Sequence, residues 1–123
     1  MSAADNPVQH EADCLFCRVV AGEVPATIVH ETPNTTAFRD IDPKAPTHVL
    51  VVPRRHVPTM AELADIAPEE VAEIMRAVGD VARMEGLDGG YRCVFNTGPD
   101  AQQSVPHVHV HVVGGRAMTW PPG

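Results

Sequence analysis

The longest periodic stretch of the chain runs from Pro68 to about Glu85. Val71, Ile74, Met75, Val78, Val81 and Ala82 recur there at helical spacing and fall on one face. Pro68 suits the first helical turn, Glu69 and Glu70 complement the N-terminal dipole, and Gly86 is a stop. The other apolar runs are shorter and strand-like. Ala26–Glu31 and Thr35–Asp40 flank the turn signal Thr32-Pro33-Asn34, and His48–Pro53 is a continuous apolar run of the kind a buried strand shows. After the loop Asp42–Pro46 and the long helix, Tyr91–Asn96 predicts a fourth strand. A polar loop, Thr97–Ser104, follows, and His107–Val113 alternates over a full strand length. Near the start, CLFCRVVAGEVP predicts a short N-terminal helix stopped by Gly22 and Pro25. About five strands, one long helix and short connections predict an α+β domain with a mainly antiparallel sheet.

The 123 residues have room for one compact domain, 13–123, behind a polar lead, 1–12, expected to be disordered. With 44% apolar and 20% charged residues the chain is globular in composition, and with 4% aromatic residues it lacks a large stacking surface for single-stranded nucleic acid. No apolar run approaches the roughly 20 residues of a membrane span, and the polar, acidic start lacks a signal-peptide pattern. A cytoplasmic protein without membrane partners is expected. Nine Lys and Arg against sixteen Asp and Glu leave a net charge of −7, which opposes binding to DNA or RNA. Eight of the acids lie between Met60 and Asp88 with only Arg76 and Arg83 among them, so the simplest reading is the solvated face of the long helix.

The chemistry concentrates in His107-Val108-His109-Val110-His111-Val112-Val113. On a strand the three histidines share one face, about 7 Å apart from one to the next, and the valines take the other. A packed sheet face favours Val or Ile, so three imidazoles in a row point to a working surface. Two chemistries suit it: a catalytic Zn²⁺ held by these rings, or metal-free attack by one imidazole on phosphorus while its neighbours donate to the phosphate. The upstream donors Asn96, Gln102, Gln103 and Ser104 suit a phosphate better than a metal shell.

With those residues in view, the chain resembles the histidine triad (HIT) family, whose signature of three histidines alternating with apolar residues is met from His107 to Val113. The likeness extends through LFCRVVAGEVPA, AFRDIDPKAPTHVLVVPRRH, LDGGYRCVFNTG, QSVPHVHVHVVGGR and WPPG, the last two being similar to the Hint branch of purine nucleoside phosphoramidases. The resemblance implies that His109 is the nucleophile, forming a nucleotidyl-imidazole that water hydrolyses. It implies that His111 contacts the phosphate and that His48 supports the site. Asp40 would hold the ribose, with Ile41, Phe16, Leu15, Val19 and Phe38 around the purine. Asn96, Gln102, Gln103 and Ser104 would serve phosphate and leaving group, with Ser104 in the catalytic set. One departure is Gln102, which stands where that branch usually carries glycine.

Cys14-x-x-Cys17 resembles the zinc-binding members of the family, in which two cysteines join His56 and His107. A Cys₂His₂ set is a closed, structural Zn²⁺ site. Cys93 is expected to be a core residue. The resemblance also implies a homodimer in which the tail bearing Trp120 reaches the partner's site and shapes leaving-group preference. Rival readings are a HIT-type dinucleoside polyphosphate hydrolase, against which WPPG and Gly114-Gly115-Arg116 argue, a purine-nucleotide-binding protein without chemistry, and a zinc hydrolase using all three triad histidines.

Overall fold

The computed structural model describes residues 10–123. Residues 1–9 of the expected lead lie outside that range, while Glu11 to Cys14 form a turn closed by the Cys14 N–H donating to the Glu11 carbonyl at 3.0 Å. The elements are α1 (Leu15–Val20), β1 (Ile28–Thr32), β2 (Thr35–Arg39), β3 (Thr47–Pro53), α2 (Met60–Ile66), α3 (Pro68–Met84), β4 (Tyr91–Val94) and β5 (Val110–Gly114). All neighbours in the five-stranded sheet, order β1-β2-β3-β5-β4, are antiparallel. This is the α+β architecture the pattern predicts.

Every residue of β3 is buried, as its unbroken apolar run requires of a central strand covered on both faces. One face carries the main core. Val49 and Val51 of β3, with Val108, Val110 and Val112, pack against Ile74, Ala77, Val78 and Val81 of α3 and Leu63 of α2. On the opposite face a smaller core joins Cys14, Phe16, Cys17 and Val19 to Phe38, Leu50 and Val52. The short helix α1 covers only part of that face, and the remainder is left open as a cleft.

Three departures from the expected elements have local causes. The helix α2 was not expected, although Thr59-x-x-Glu62 is a capping signature: the Thr59 hydroxyl accepts from the Glu62 N–H at 3.2 Å. The strand expected over His107–Val113 begins only at Val110, because β3 pairs no further than Val51 with Val110 and the Val108 N–H turns instead to the Val57 carbonyl at 2.7 Å. The alternation of faces nevertheless persists back to His107. Finally, the acids of α3 are not simply a solvated face. Glu70 is buried and pairs with Arg55, Glu73 accepts from Thr32 and from the Asn34 N–H and side chain, Asp80 meets His30, and Glu85 takes both Nη groups of Arg39. They tie the helix to the β1–β2 hairpin and the loop after β3.

Of these ties, Glu70 to Arg55 is the most enclosed, with side-chain exposures of 2% and 12%. Truncation of one member leaves an uncompensated buried charge, so Glu70→Ala is expected to cost about 3 kcal/mol or more in a urea denaturation measurement, while Glu69→Ala, on the exposed side, costs little.

Candidate active site

The open part of the sheet face is a cleft of about 640 Å³. Asp40, His48, His109, His111, Asn96, Gln102 and Ser104 line it together, so seven of the residues singled out in the sequence converge. Register explains the gathering. Across the sheet His48 lies opposite Val113, and Val94 opposite His111, so β3, β5 and β4 all present cleft residues on the face that α1 leaves uncovered.

Each histidine of the cleft is oriented by a hydrogen bond that decides which nitrogen is free. His109 donates from Nδ1 to the backbone carbonyl of His107 at 2.8 Å, which leaves Nε2 with its lone pair. Phe16 stacks edge-on against that ring at 4.9 Å and holds it from the other side. The Lys44 N–H donates to Nδ1 of His48 at 3.0 Å, so a neutral His48 carries its proton on Nε2. That proton is offered to Nδ1 of His111 at 2.9 Å, with an Asp40 oxygen 3.4 Å away. His111 is thereby left with an Nε2–H donor. The chain Lys44–His48–His111 thus sets a donor beside a lone pair, the pair of groups that attack on phosphorus requires.

Burial pushes the His111 pKa down to about 4, helped by its neighbours His109 and His48, and burial also lowers His48. Both rings are neutral at pH 7. Asp40 does two jobs: Oδ1 caps the turn by accepting from the Asp42 N–H at 2.8 Å, and Oδ2 faces His48.

A second cluster lies behind the first. Donor atoms of Cys14, Cys17, His56 and His107 all lie within 4.8 Å of one another. Nδ1 of His107 is 3.3 Å from the Cys14 sulfur and 3.5 Å from that of Cys17, and Nδ1 of His56 is 3.4 Å from the Cys17 sulfur. Those spacings match the edges, roughly 3.3–3.8 Å, of a tetrahedron with metal–sulfur bonds of ~2.3 Å and metal–nitrogen bonds of ~2.0 Å. His107 donates from Nε2 to the Pro53 carbonyl at 2.8 Å, which leaves Nδ1 as the free ligand atom. Burial lowers the His107 pKa to about 4 and raises the Cys17 thiol to about 11, so the ring is neutral and the thiol would lose its proton to a bound ion. The residues fit a four-coordinate ion. They also separate the triad: His107 belongs to this cluster, His111 to the Asp40–His48 group, and His109 to neither. The arrangement divides the triad between two groups rather than gathering its three rings around one point.

Other expected residues sit elsewhere. Phe16, Val19 and Phe38 are buried in the smaller core and do not line the cleft. Ile41 is 99% exposed, and Leu15 borders a neighbouring hollow of about 360 Å³ that shares Ser104 with the cleft. Gln103 braces the loop, accepting from the Gly98 N–H and donating to the Pro58 carbonyl. Asn96 donates to the Ala101 carbonyl at 2.7 Å. Gln102 has φ +61°, the left-handed conformation glycine adopts without cost, so the residue that departs from the usual glycine keeps a glycine-like backbone. Cys93 is half-buried beside the main core.

Lys44, Arg92, Arg116 and the tail residues Met118, Thr119, Pro121 and Pro122 line the cleft without having been singled out. Gly115, with φ +90° and only 3.0 Å of room for a Cβ before Pro46, turns the chain from β5 into that tail.

Residues 21–118 match the model of the HIT domain family. The chain belongs to the HIT family. It is 41% identical over 115 residues to the 14 kDa zinc-binding protein of Zea mays, covering 92% of this chain and 90% of the relative. A HIT-like protein of Synechococcus elongatus is 40% identical over 111 residues, covering 90% and 97%. Among solved structures, a HIT family hydrolase from Legionella pneumophila superposes with TM-score 0.86 at 48% identity, over 90% of this chain and 100% of that one. The histidine triad nucleotide-binding protein of Candida albicans gives 0.77 at 31%, over 90% and 85%. No helix among the described residues of this HIT domain is long and apolar enough to cross a membrane.

The lowered His111 pKa gives a signed pH dependence. Between about pH 4 and the ordinary value of 6.5 the unfolded chain takes up a proton that the folded chain resists. Stability therefore rises with pH across that window and its His111 contribution levels off above it. Urea midpoints measured at stepped pH are expected to show the climb, and His111→Asn to make it shallower.

Proposed function

We propose that this HIT protein is a nucleotide hydrolase of the Hint type, cleaving the P–N bond of purine nucleoside 5′-phosphoramidates through a covalent nucleotidyl-His109. The observation that carries the reading is the 2.8 Å bond from His109 Nδ1 to the His107 carbonyl, since it commits the other nitrogen to act as a base or nucleophile toward the cleft. That nitrogen attacks the α-phosphorus as the bond to the leaving nitrogen breaks. The leaving nitrogen takes the electron pair and a proton, supplied from water through the Ser104 hydroxyl. Water then attacks phosphorus, His109 departs as neutral imidazole, and the proton borrowed in the first step returns to solvent.

In this reading the His111 Nε2–H steadies the phosphoryl oxygens, with His48 holding that proton in place. Asp40 receives the ribose hydroxyls and Asn96, Gln102, Gln103 and Ser104 shape the phosphate loop. The purine lies toward Ile41 and Leu15, over the core built by Phe16, Val19 and Phe38. A Zn²⁺ at Cys14, Cys17, His56 and His107 pins α1 to the sheet, in keeping with the zinc-binding relative from Zea mays. Free cysteines suit a reducing, cytoplasmic setting. The unpaired edge of β4, where Tyr91, Val94 and Phe95 are each about 40% exposed, offers the surface on which two protomers would join their sheets; the Trp120 tail, expected at the partner's site, instead lies beside Arg92 of its own chain, next to that edge.

Two experiments test this reading. His109→Ala should lower turnover of an AMP-amide by about a thousandfold or more and abolish the nucleotidyl-protein trapped on rapid quench; retained turnover rejects the mechanism. A binding protein without chemistry would hold AMP and show no trapped adduct with the unaltered chain. For the metal, native mass spectrometry should find one zinc per chain, lost in Cys17→Ala together with several degrees of melting temperature. Zinc still bound stoichiometrically by that variant would rule out the four-residue set.

A further inference from the structure

The cations of the cleft are unusual in a chain with a net charge of −7. Arg39, Arg55 and Arg83 are each paired with a carboxylate. Arg92 and Arg116, which line the cleft, are not: among the described residues neither has a carboxylate within ion-pairing distance. Arg92 donates to the Thr119 carbonyl and stands 5.9 Å from the centre of the Trp120 ring. Arg116 donates to the Lys44 carbonyl at 3.1 and 3.2 Å and to that of Ala117 at 3.2 Å. Neutral carbonyls hold both guanidinium groups in place and leave their charge uncancelled. A guanidinium has five N–H donors, and Arg92 uses one of them on the tail.

Their position indicates which part of a substrate they would meet. Attack on phosphorus places the leaving group roughly in line with the nucleophile and on its far side. His109 is only 7% exposed while Arg116 and Thr119 of the same cleft are exposed, so a leaving group departing outward from His109 would meet the tail and its two arginines. Arg92 lies on β4, across β5 from His48 and Asp40, and so on the opposite side from the carboxylate assigned to the ribose. Of the acids lining the cleft, Asp42 pairs with Lys44, and Asp40 stands 3.4 Å from Nε2 of His48 on the ribose side.

We infer that Arg92 and Arg116 form an anion-recognition site at the mouth of the cleft, and that the preferred phosphoramidates carry a negatively charged leaving group, such as an amine bearing carboxylates. This rests on the hydrolytic reading above and specifies its substrate class. Both arginines touch the tail, so a purely structural role in holding it is the competing account. The two differ in one respect: loss of a tail support slows every substrate alike, whereas loss of an anion site changes the ranking among them.

The test compares three adenosine 5′-phosphoramidates whose amine is aspartate, alaninamide or lysinamide. On the unaltered protein kcat/KM is expected to fall in that order, with the aspartate compound about tenfold ahead of the neutral one at low salt and the gap narrowing as salt rises. Arg92→Gln and Arg116→Gln should each shrink the ratio of aspartate to alaninamide at least threefold. The same ranking is read independently as Kd values on His109→Ala, which keeps the arginines. If kcat/KM is equal for the three compounds, or the arginine variants lower all of them in proportion, the anion site is overturned while the hydrolytic reading stands. If none is turned over, the hydrolytic reading fails, and the Kd ranking decides the anion site by itself: aspartate first upholds it, and no preference or lysinamide first overturns it.

Discussion

The cleft depends on the backbone carbonyl of His107. That residue turns its ring into a four-donor cluster with two cysteines and His56, and turns its carbonyl to the Nδ1–H of His109. Whatever secures the ring secures the carbonyl, and the carbonyl decides the tautomer of the central imidazole. The Pro53 carbonyl performs the same service one step back by accepting from His107 Nε2. Two backbone oxygens, both beyond the paired part of β3 and β5, thus set the protonation pattern of two adjoining sites.

A sheet with unequal coverings makes room for this. The valines at 108, 110 and 112 satisfy the main core against α3, and that side alone supplies most of the burial. The opposite face needs only enough apolar surface to seat α1, which Phe16, Phe38, Leu50 and Val52 provide. What remains uncovered there is free to carry polar groups that a two-sided core would have expelled. The buried imidazoles tolerate their position because each has a hydrogen-bond partner, and burial itself lowers the pKa of His48 and His107.

Charge is divided in the same economical way. Acids along α3 and at its C-cap reach Arg55, Asn34, His30 and Arg39, which anchors the long helix to the β1–β2 hairpin and the loop after β3. Lys44 alone among the cleft cations answers a carboxylate. The two cleft arginines answer backbone carbonyls instead, so their charges stand without a carboxylate partner in a chain of net negative charge.

Much of this was legible along the chain. The alternation of His and Val, the 3.6-residue period of α3, and the β1–β2 turn each depend on neighbours in sequence, and for them local pattern is sufficient. Pairing Cys14-x-x-Cys17 with His56 and His107 rested on resemblance, and the geometry brings those four together. The helix α2 had a signature in Thr59 and Glu62 that local pattern could have shown. Other features had none. The shortened β5, the withdrawal of Phe16 and Phe38 into a core, the inward turn of Glu70 and the placing of Arg92 beside the tail all depend on what lies across the sheet. Sequence determines which face each side chain takes, because the strand period is local. Only the tertiary structure decides what that face meets, because register, coverage by α1 and the path of the tail are set by residues dozens of positions away.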